Sequence, residues 1–565
     1  MSPAVLIDPL QAPHEAARLH AAQAAERFAA TKKKTTKKKR KKKKVPTCTA
    51  KDLRQQKAWK KNQKLPKSKR KRLAKPRKCV MPKKPSRPSP TGPVAAPPVT
   101  TPSPDAFPTA PTAERTDGLR PYTGPFGVQQ ATRLLFRGAF GPTPGQAEEF
   151  AALGLKGAVS RLMNPGPVTL DGPAPSCDGL VGGQFAPEDH WGHGHLEWLD
   201  RCVRSTDQLG ERMTLVLHDW LAISQAGTSA RFMRESIQLR RDGWRGSFRE
   251  LMLKVTVDPA MLEWLNGLES TKWSPNENYA RELMELFCLG ADRGAYTEAD
   301  VREMARALTG WRADWADEVG LYNFRHDKVR WDAKEKVFFR GTSYERRGNF
   351  DWRDTVNAVI DHPLHASFVA LKLWGAFIPT PPTQVTLDEL TALYRSSGER
   401  LEPLVEAILQ HPDLYNGPSV TKSPVTFVAG MLRARRRGID DDAWMWLCDG
   451  AGQALWFPPN VSGWNERAWL NTTTYSYRWF AASNHVREHE LDHDDYPTDE
   501  SPAQAVASAL EFWGNPWITA EHRAALDGLA TDALGVSSWS DHARKADRQH
   551  ALRMLVATCP DYQVA

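Results

Sequence analysis

Proton transfer and metal binding both need carboxylates or imidazoles brought close together. The densest polar stretch able to supply them is SPNENYARELMELFCLG, residues 274–290. Ser274 is expected to cap a helix, with Pro275 at its first position, Glu277 closing a capping box and Gly290 ending it. At about 100° per residue, Glu277, Asn278, Arg281, Glu282 and Glu285 share one face. Tyr279, Ala280, Leu283, Met284, Leu286 and Phe287 share the other. The plainer reading is a solvated face carrying a Glu277–Arg281–Glu285 charge ladder. The sharper one turns that face into a cleft, with Glu282 and Glu285 as acid/base groups and Glu277, Asn278 and Arg281 as binding groups.

A second candidate pair is His326-Asp327, where the carboxylate could fix the imidazole's tautomer. Trp311 and the loop FPPNVSGWNERAWLN, with Asn460 and Trp464, combine aromatic faces with amides and acids, the composition of a carbohydrate site. In the sharper reading these groups converge with the Glu277/Glu282/Glu285 face. EDHWGHGHLEW holds His190, His193 and His195 beside Asp189, and HVREHELDH places His485, His489 and His493 four residues apart. A Gly-rich loop and a solvated helix are the preferred readings of these two, so no metal site is assigned. Numbered from Asp292, the next segment has Gly294, Tyr296 and Thr297 where a calcium loop needs ligands and a glycine. No phosphate-binding loop, dinucleotide fingerprint or nucleophile elbow is present. The residues imply no particular cofactor and do not decide whether the chain is an enzyme.

The elements that must position these groups are mostly helices. Amphipathic runs recur from residue 126 to the end, and Thr297 with Asp300 marks a second capping box ahead of Val301, Met304, Ala305 and Leu308. Residues 312–350 lack helical period and read as an irregular region with a hairpin. The expected class is mainly α: a large multi-helix globular domain over 121–565 with long irregular loops. No internal repeat is visible.

Residues 1–120 differ in kind. Residues 31–90 hold 28 Lys and Arg against one acid, Asp52, so the overall charge of +11 hides an acidic body. Residues 82–112 are Pro-rich. The stretch is expected to be a disordered, basic tail, and residues 32–87 are the segment expected to meet an anionic polymer or surface, nucleic acid included. The seven cysteines form no CxxC pair. No apolar run is long enough to span a membrane, and no signal peptide is visible at the start, which leaves localisation open.

NENYARELMELFCLG followed by YTEADVREMARALTGW resembles the signature of the bacterial domain-of-unknown-function 1800 family. So do ATRLLFRGAFGPTP, NFRHDKVRWDAKEKVFFRG, DHPLHASFVALKLWGAFI, LWFPPNVSGWNERAWLNTTT and LRMLVATCPDYQVA. The resemblance covers about 126–565 and carries no established activity. It implies a helical protein, often exported and often encoded beside a sulfatase-like companion. A cell-envelope or exported setting follows from it, with a polysaccharide-like polymer to bind or process. The alternative it implies is a non-enzymatic scaffold or maturation partner for that companion. One position departs from the family pattern. Where relatives read Phe-Trp-His-Asn-His-Phe, this chain reads LVLHDWLAIS, keeping His218 but placing Asp219 and Trp220 after it.

Overall fold

The computed structural model describes residues 115–176, 185–187, 192–531 and 540–565. The expectations for residues 1–114 and for Asp189 and His190 lie outside the described residues. Residues 115–120, assigned to the tail by sequence, are part of the body. Thr116 N donates to Asp413 Oδ1 at 3.0 Å, Gly118 N to Thr386 Oγ1 at 3.0 Å and Leu119 N to Glu389 Oε2 at 2.6 Å.

The body is mainly helical, with 20 α-helices among the described residues and two small antiparallel hairpins. Helices α1 (Val128–Arg137) and α2 (Gln146–Met163) are separated by the GPTPG breaker. Helices α3 (His193–Arg204), α4 (Gln208–Trp220), α5 (Ala230–Gly243), α6 (Phe248–Thr256) and α7 (Pro259–Trp264) follow. Asp207 caps α4 through Gly210 N, and Asp258 caps α7 with Pro259 at the first position, so the α6–α7 break falls at the Asp-Pro pair.

The next helix departs from its expected form. It starts at Asn278, not at Ser274, and α8 (Asn278–Glu282) runs into a π-helical turn over Leu283–Cys288. Ser274 instead bridges Thr271, Ser270 Oγ accepts from Asn276 N, and Asn276 Oδ1 accepts from Asn278 N. These short side chains take the backbone groups that a Ser274 cap needed. Helix α9 (Glu298–Ala307) does begin at the expected Thr297–Asp300 capping box, and its apolar stripe is buried.

The aperiodic region contains β1 (Trp311–Ala316) paired with β2 (Gly320–His326), then β3 (Lys336–Phe338) with β4 (Arg346–Gly348). Arg306 ties α9 to it, bonding Asp332 at 2.8 Å and Glu303 at 2.8 Å. Helices α10 (Trp352–Ile360), α11 (His365–Phe377), α12 (Gln384–Ser396), α13 (Glu402–Gln410) and α14 (Pro412–Asn416) continue the body. Then come α15 (Pro424–Ala434), α16 (Ala443–Gly450), α17 (Thr472–Arg487), α18 (Pro502–Phe512), α19 (Ala520–Thr531) and α20 (Asp541–Thr558).

Tryptophan is largely core. Trp198, Trp244, Trp374 and Trp444 are fully buried, and three of their indoles donate inward: Trp198 to Glu211, Trp374 to Thr380 O and Trp444 to Asp440. Cys288 is buried in the turn that follows α8. Among the described residues no helix is long and apolar enough to cross a membrane.

Candidate functional site

A cleft of about 390 Å³ opens where α1, α4 and α11 meet the segment 420–426 and the 451–471 loop. Helix α4 gives it Arg212, Leu215, Val216 and Asp219, one stripe at three- and four-residue spacing. Helix α11 gives Leu371, Lys372, Gly375 and Ala376, again one stripe. Phe136 and Arg137 come from α1, and Lys422, Ser423 and Thr426 from the segment that starts α15. Gln453, Glu466 and Trp469 come from the loop.

The cations have different duties. Arg137 is structural: its guanidinium donates to the carbonyls of Phe377, Pro418 and Ala565. Lys422 is buried, donates to Tyr562 O at 2.8 Å and lies over the Phe136 ring, and burial pushes its ammonium down to about 7. Arg478 ties two walls together by donating to Lys422 O and Trp469 O. Arg212 uses one nitrogen on Thr426 Oγ1 at 2.8 Å and is brought down to about 10 by burial. Lys372 stands exposed at the mouth, where desolvation by the walls lowers its ammonium against the opposing pull of Asp219 and Glu466.

Asp219 is the carboxylate at the centre of this set. Burial raises it to about 6, a hydrogen bond from Trp464 N at 2.8 Å and Lys372 oppose the rise, and Glu466 adds to it. The approach that makes this bond needs Gly463, which holds φ +85° with Asp219 Oδ1 and O directly over the place a Cβ would occupy. Behind Asp219, His218 is fully buried between Trp198 and Trp464, each ring centroid 5.4 Å away, and neither of its nitrogens has a partner. Burial holds it neutral.

Gly375 is unusual for the middle of a helix. It is exposed, it lines the cleft, and a Cβ there would meet nothing within 4 Å. An interior helical glycine costs roughly 0.5–1 kcal/mol relative to alanine. Here the missing side chain leaves this part of the cleft's lining open.

The residues proposed from sequence lie elsewhere. Arg281 pairs with Glu277 at 3.3 Å and with Glu298 of α9 at 2.6 Å, so the expected ladder does not extend to Glu285. The π turn accounts for this: its i→i+5 spacing moves Glu285 off the i+4 position. Glu282 is half-buried, and desolvation followed by Glu285 raises its carboxyl. Asn278 bonds Asn266 and Asn276.

His326 contacts Thr309 O at 3.1 Å and sits edge-on to Trp311 and Trp331. Asp327 turns instead to Val329 N and Arg312. The two therefore do not form a dyad. Helix α8, with Asn276 just before it, and Trp311 do approach each other, around a void of about 20 Å³ lined by Asn276, Tyr279 and Trp311. That is room for about one water. Asn460 is an exposed turn residue capping Ser462 N, and Trp464 is buried against His218. None of the ten sequence candidates lines the 390 Å³ cleft; Trp464 touches it only through Asp219.

The expected His485–His489–His493 face is not formed, because α17 ends at Arg487. His485 is buried, and His493 lies in a later turn. Sequence reading missed Arg212, Asp219, Lys372, Lys422 and Glu466 as site residues. A signal existed: RMTLVLHDW and LKLWGAF each carry isolated charges inside an apolar helix, and a charge in such a stripe needs a cleft or a partner.

The family model described as "Protein of unknown function (DUF1800)" matches residues 133–564. No curated protein and no solved structure matches the chain.

Proposed function

Because the chain belongs to the DUF1800 family, whose description assigns no activity, we propose a function from the cleft itself: it binds an acidic, hydroxyl-rich polymer of polysaccharide type. The observation that carries this is the cleft's lining, which sets the cations Arg212 and Lys372 among the carboxylates Asp219 and Glu466 and the apolar side chains Leu215, Val216 and Trp469, with Gly375 leaving space open beside them. Arg212 and Lys372 suit a uronate or sulfate group. Asp219, Glu466, Ser423 and Thr426 offer partners to hydroxyls. The Trp469 and Leu215 walls suit the apolar face of a sugar ring. Asp219 titrates near pH 6, which equips the cleft for the proton exchange that processing of a polymer would use.

The basic segment 32–87 has the same preference for anions and would hold the polymer or an anionic surface outside the cleft.

The test is thermal unfolding of the full chain with uronate-bearing, sulfated and neutral oligosaccharides, repeated with Gly375→Phe, which fills open space. An oligosaccharide at a hundred times its dissociation constant should add about 2.7 kcal/mol of stability. Stabilisation by acidic sugars that Gly375→Phe removes supports the reading. No stabilisation, or stabilisation indifferent to Gly375→Phe, overturns it and moves the assignment to a non-enzymatic scaffold for a neighbouring, sulfatase-like enzyme.

A further inference from the structure

A second group of chemistry-bearing side chains lies apart from the cleft, where the turn after α17 meets α20. His493, Asp547 and His550 each offer a ligand atom, and the three atoms lie within 4.8 Å of one another. His493 Nε2 is 3.6 Å from Asp547 Oδ1. Two donors on one tetrahedral zinc ion, each at about 2.0–2.1 Å, are about 3.3 Å apart, so this edge is close to the required length.

The local surroundings favour a cation. Asp547 and His550 are three residues apart on α20 and project from one face. His550 Nε2 is buried with no partner, so the ring keeps a nitrogen available to a ligand. The turn that carries His493 also holds Asp492, Asp494 and Asp495, all exposed. Arg553, whose charge acts on His550, is itself engaged with His489 O and the Phe512 ring.

We infer that His493, Asp547 and His550 form a binding site for one divalent transition-metal ion, with Zn²⁺ as the chemical type. Two imidazoles and one carboxylate select zinc, cobalt or nickel over magnesium or calcium, which take oxygen donors. Three protein ligands leave a further position for water. The ion would clip the 488–500 turn to the last long helix.

The test is titration of the EDTA-treated full chain with Zn²⁺, followed by calorimetry, with Co²⁺ as a spectroscopic probe and Mg²⁺ as a control. His493→Ala and Asp547→Asn are the variants, since His493 is exposed and the second change keeps its shape. One equivalent of Zn²⁺ is expected, with affinity falling at least tenfold in either variant and the visible Co²⁺ absorption lost in His493→Ala. Mg²⁺ should not compete. Equal Zn²⁺ binding by both variants and the parent chain, or binding only at millimolar concentration, would overturn the assignment.

Discussion

Asp219 concentrates the chemistry of the cleft into one residue, and its pH behaviour follows from its surroundings. Burial raises its folded-state carboxyl to about 6, from an ordinary value near 4. The folded protein therefore holds this proton more tightly than the unfolded chain does. The stability it contributes is complete below about pH 4 and is lost as pH rises through about 6. A shift of about two units amounts to at most roughly 3 kcal/mol. Asp219→Asn keeps an oxygen for Trp464 N and removes the titration. Denaturant unfolding between pH 4 and 7 should then show a slope in the parent chain that is shallower in the variant, and parallel curves would contradict the burial argument. Gly463 is the companion position. Gly463→Ala combines an unfavourable φ with a Cβ pressed into Asp219. A loss of about 1–3 kcal/mol is expected on the chemical denaturation midpoint, with a lowered Asp219 pKa if the loop retreats and water enters.

Helix ends, by contrast, are governed by local chemistry, and this explains which elements were legible in the sequence. Thr297 and Asp300 close their capping box, and Asp351 and Asp354 close another, because each exchange needs only residues three apart. Asp300 does more than cap: it is buried and its other oxygen accepts from Phe339 N at 2.6 Å, joining α9 to the end of β3. Thr297→Ala should thus cost about 1 kcal/mol, the value of a lost cap. Asp300→Ala should cost about 2–4 kcal/mol, because it also strands a buried donor. Equal losses on equilibrium unfolding would mean that the Phe339 bond adds nothing. The π turn of Leu283–Cys288 was not legible, since what stabilises it arrives from far along the chain. Trp220 Nε1 donates to Leu286 O and His365 Nδ1 meets Cys288 O, satisfying carbonyls that an α-turn would have used differently. The cleft was illegible for the same reason. Arg212, Lys372 and Glu466 each look like a stray charge until α4, α11 and the loop are packed together.

At the scale of the whole molecule, charge is divided between a strongly basic segment and a net acidic body, and the two should meet a polyanion in separable ways. On the proposed reading the basic segment would act through its many Lys and Arg charges, whose attraction is screened over about 8 Å at 0.15 M salt and about 3 Å at 1 M. The cleft would act through a few groups fixed in a low-dielectric wall, where screening is weaker. Retention of the full chain on a heparin resin should therefore collapse between these salt concentrations, and should be sharply weakened when residues 32–87 are deleted, leaving the smaller share held by the cleft. Gly375→Phe should leave the elution salt unchanged, since it removes no charge. Stabilisation by a short acidic oligosaccharide should follow the opposite rule, surviving the deletion and disappearing with Gly375→Phe. If the deletion abolished both responses, the cleft would hold no anion of its own, and Arg212 and Lys372 would be left as the counter-charges of Asp219 and Glu466.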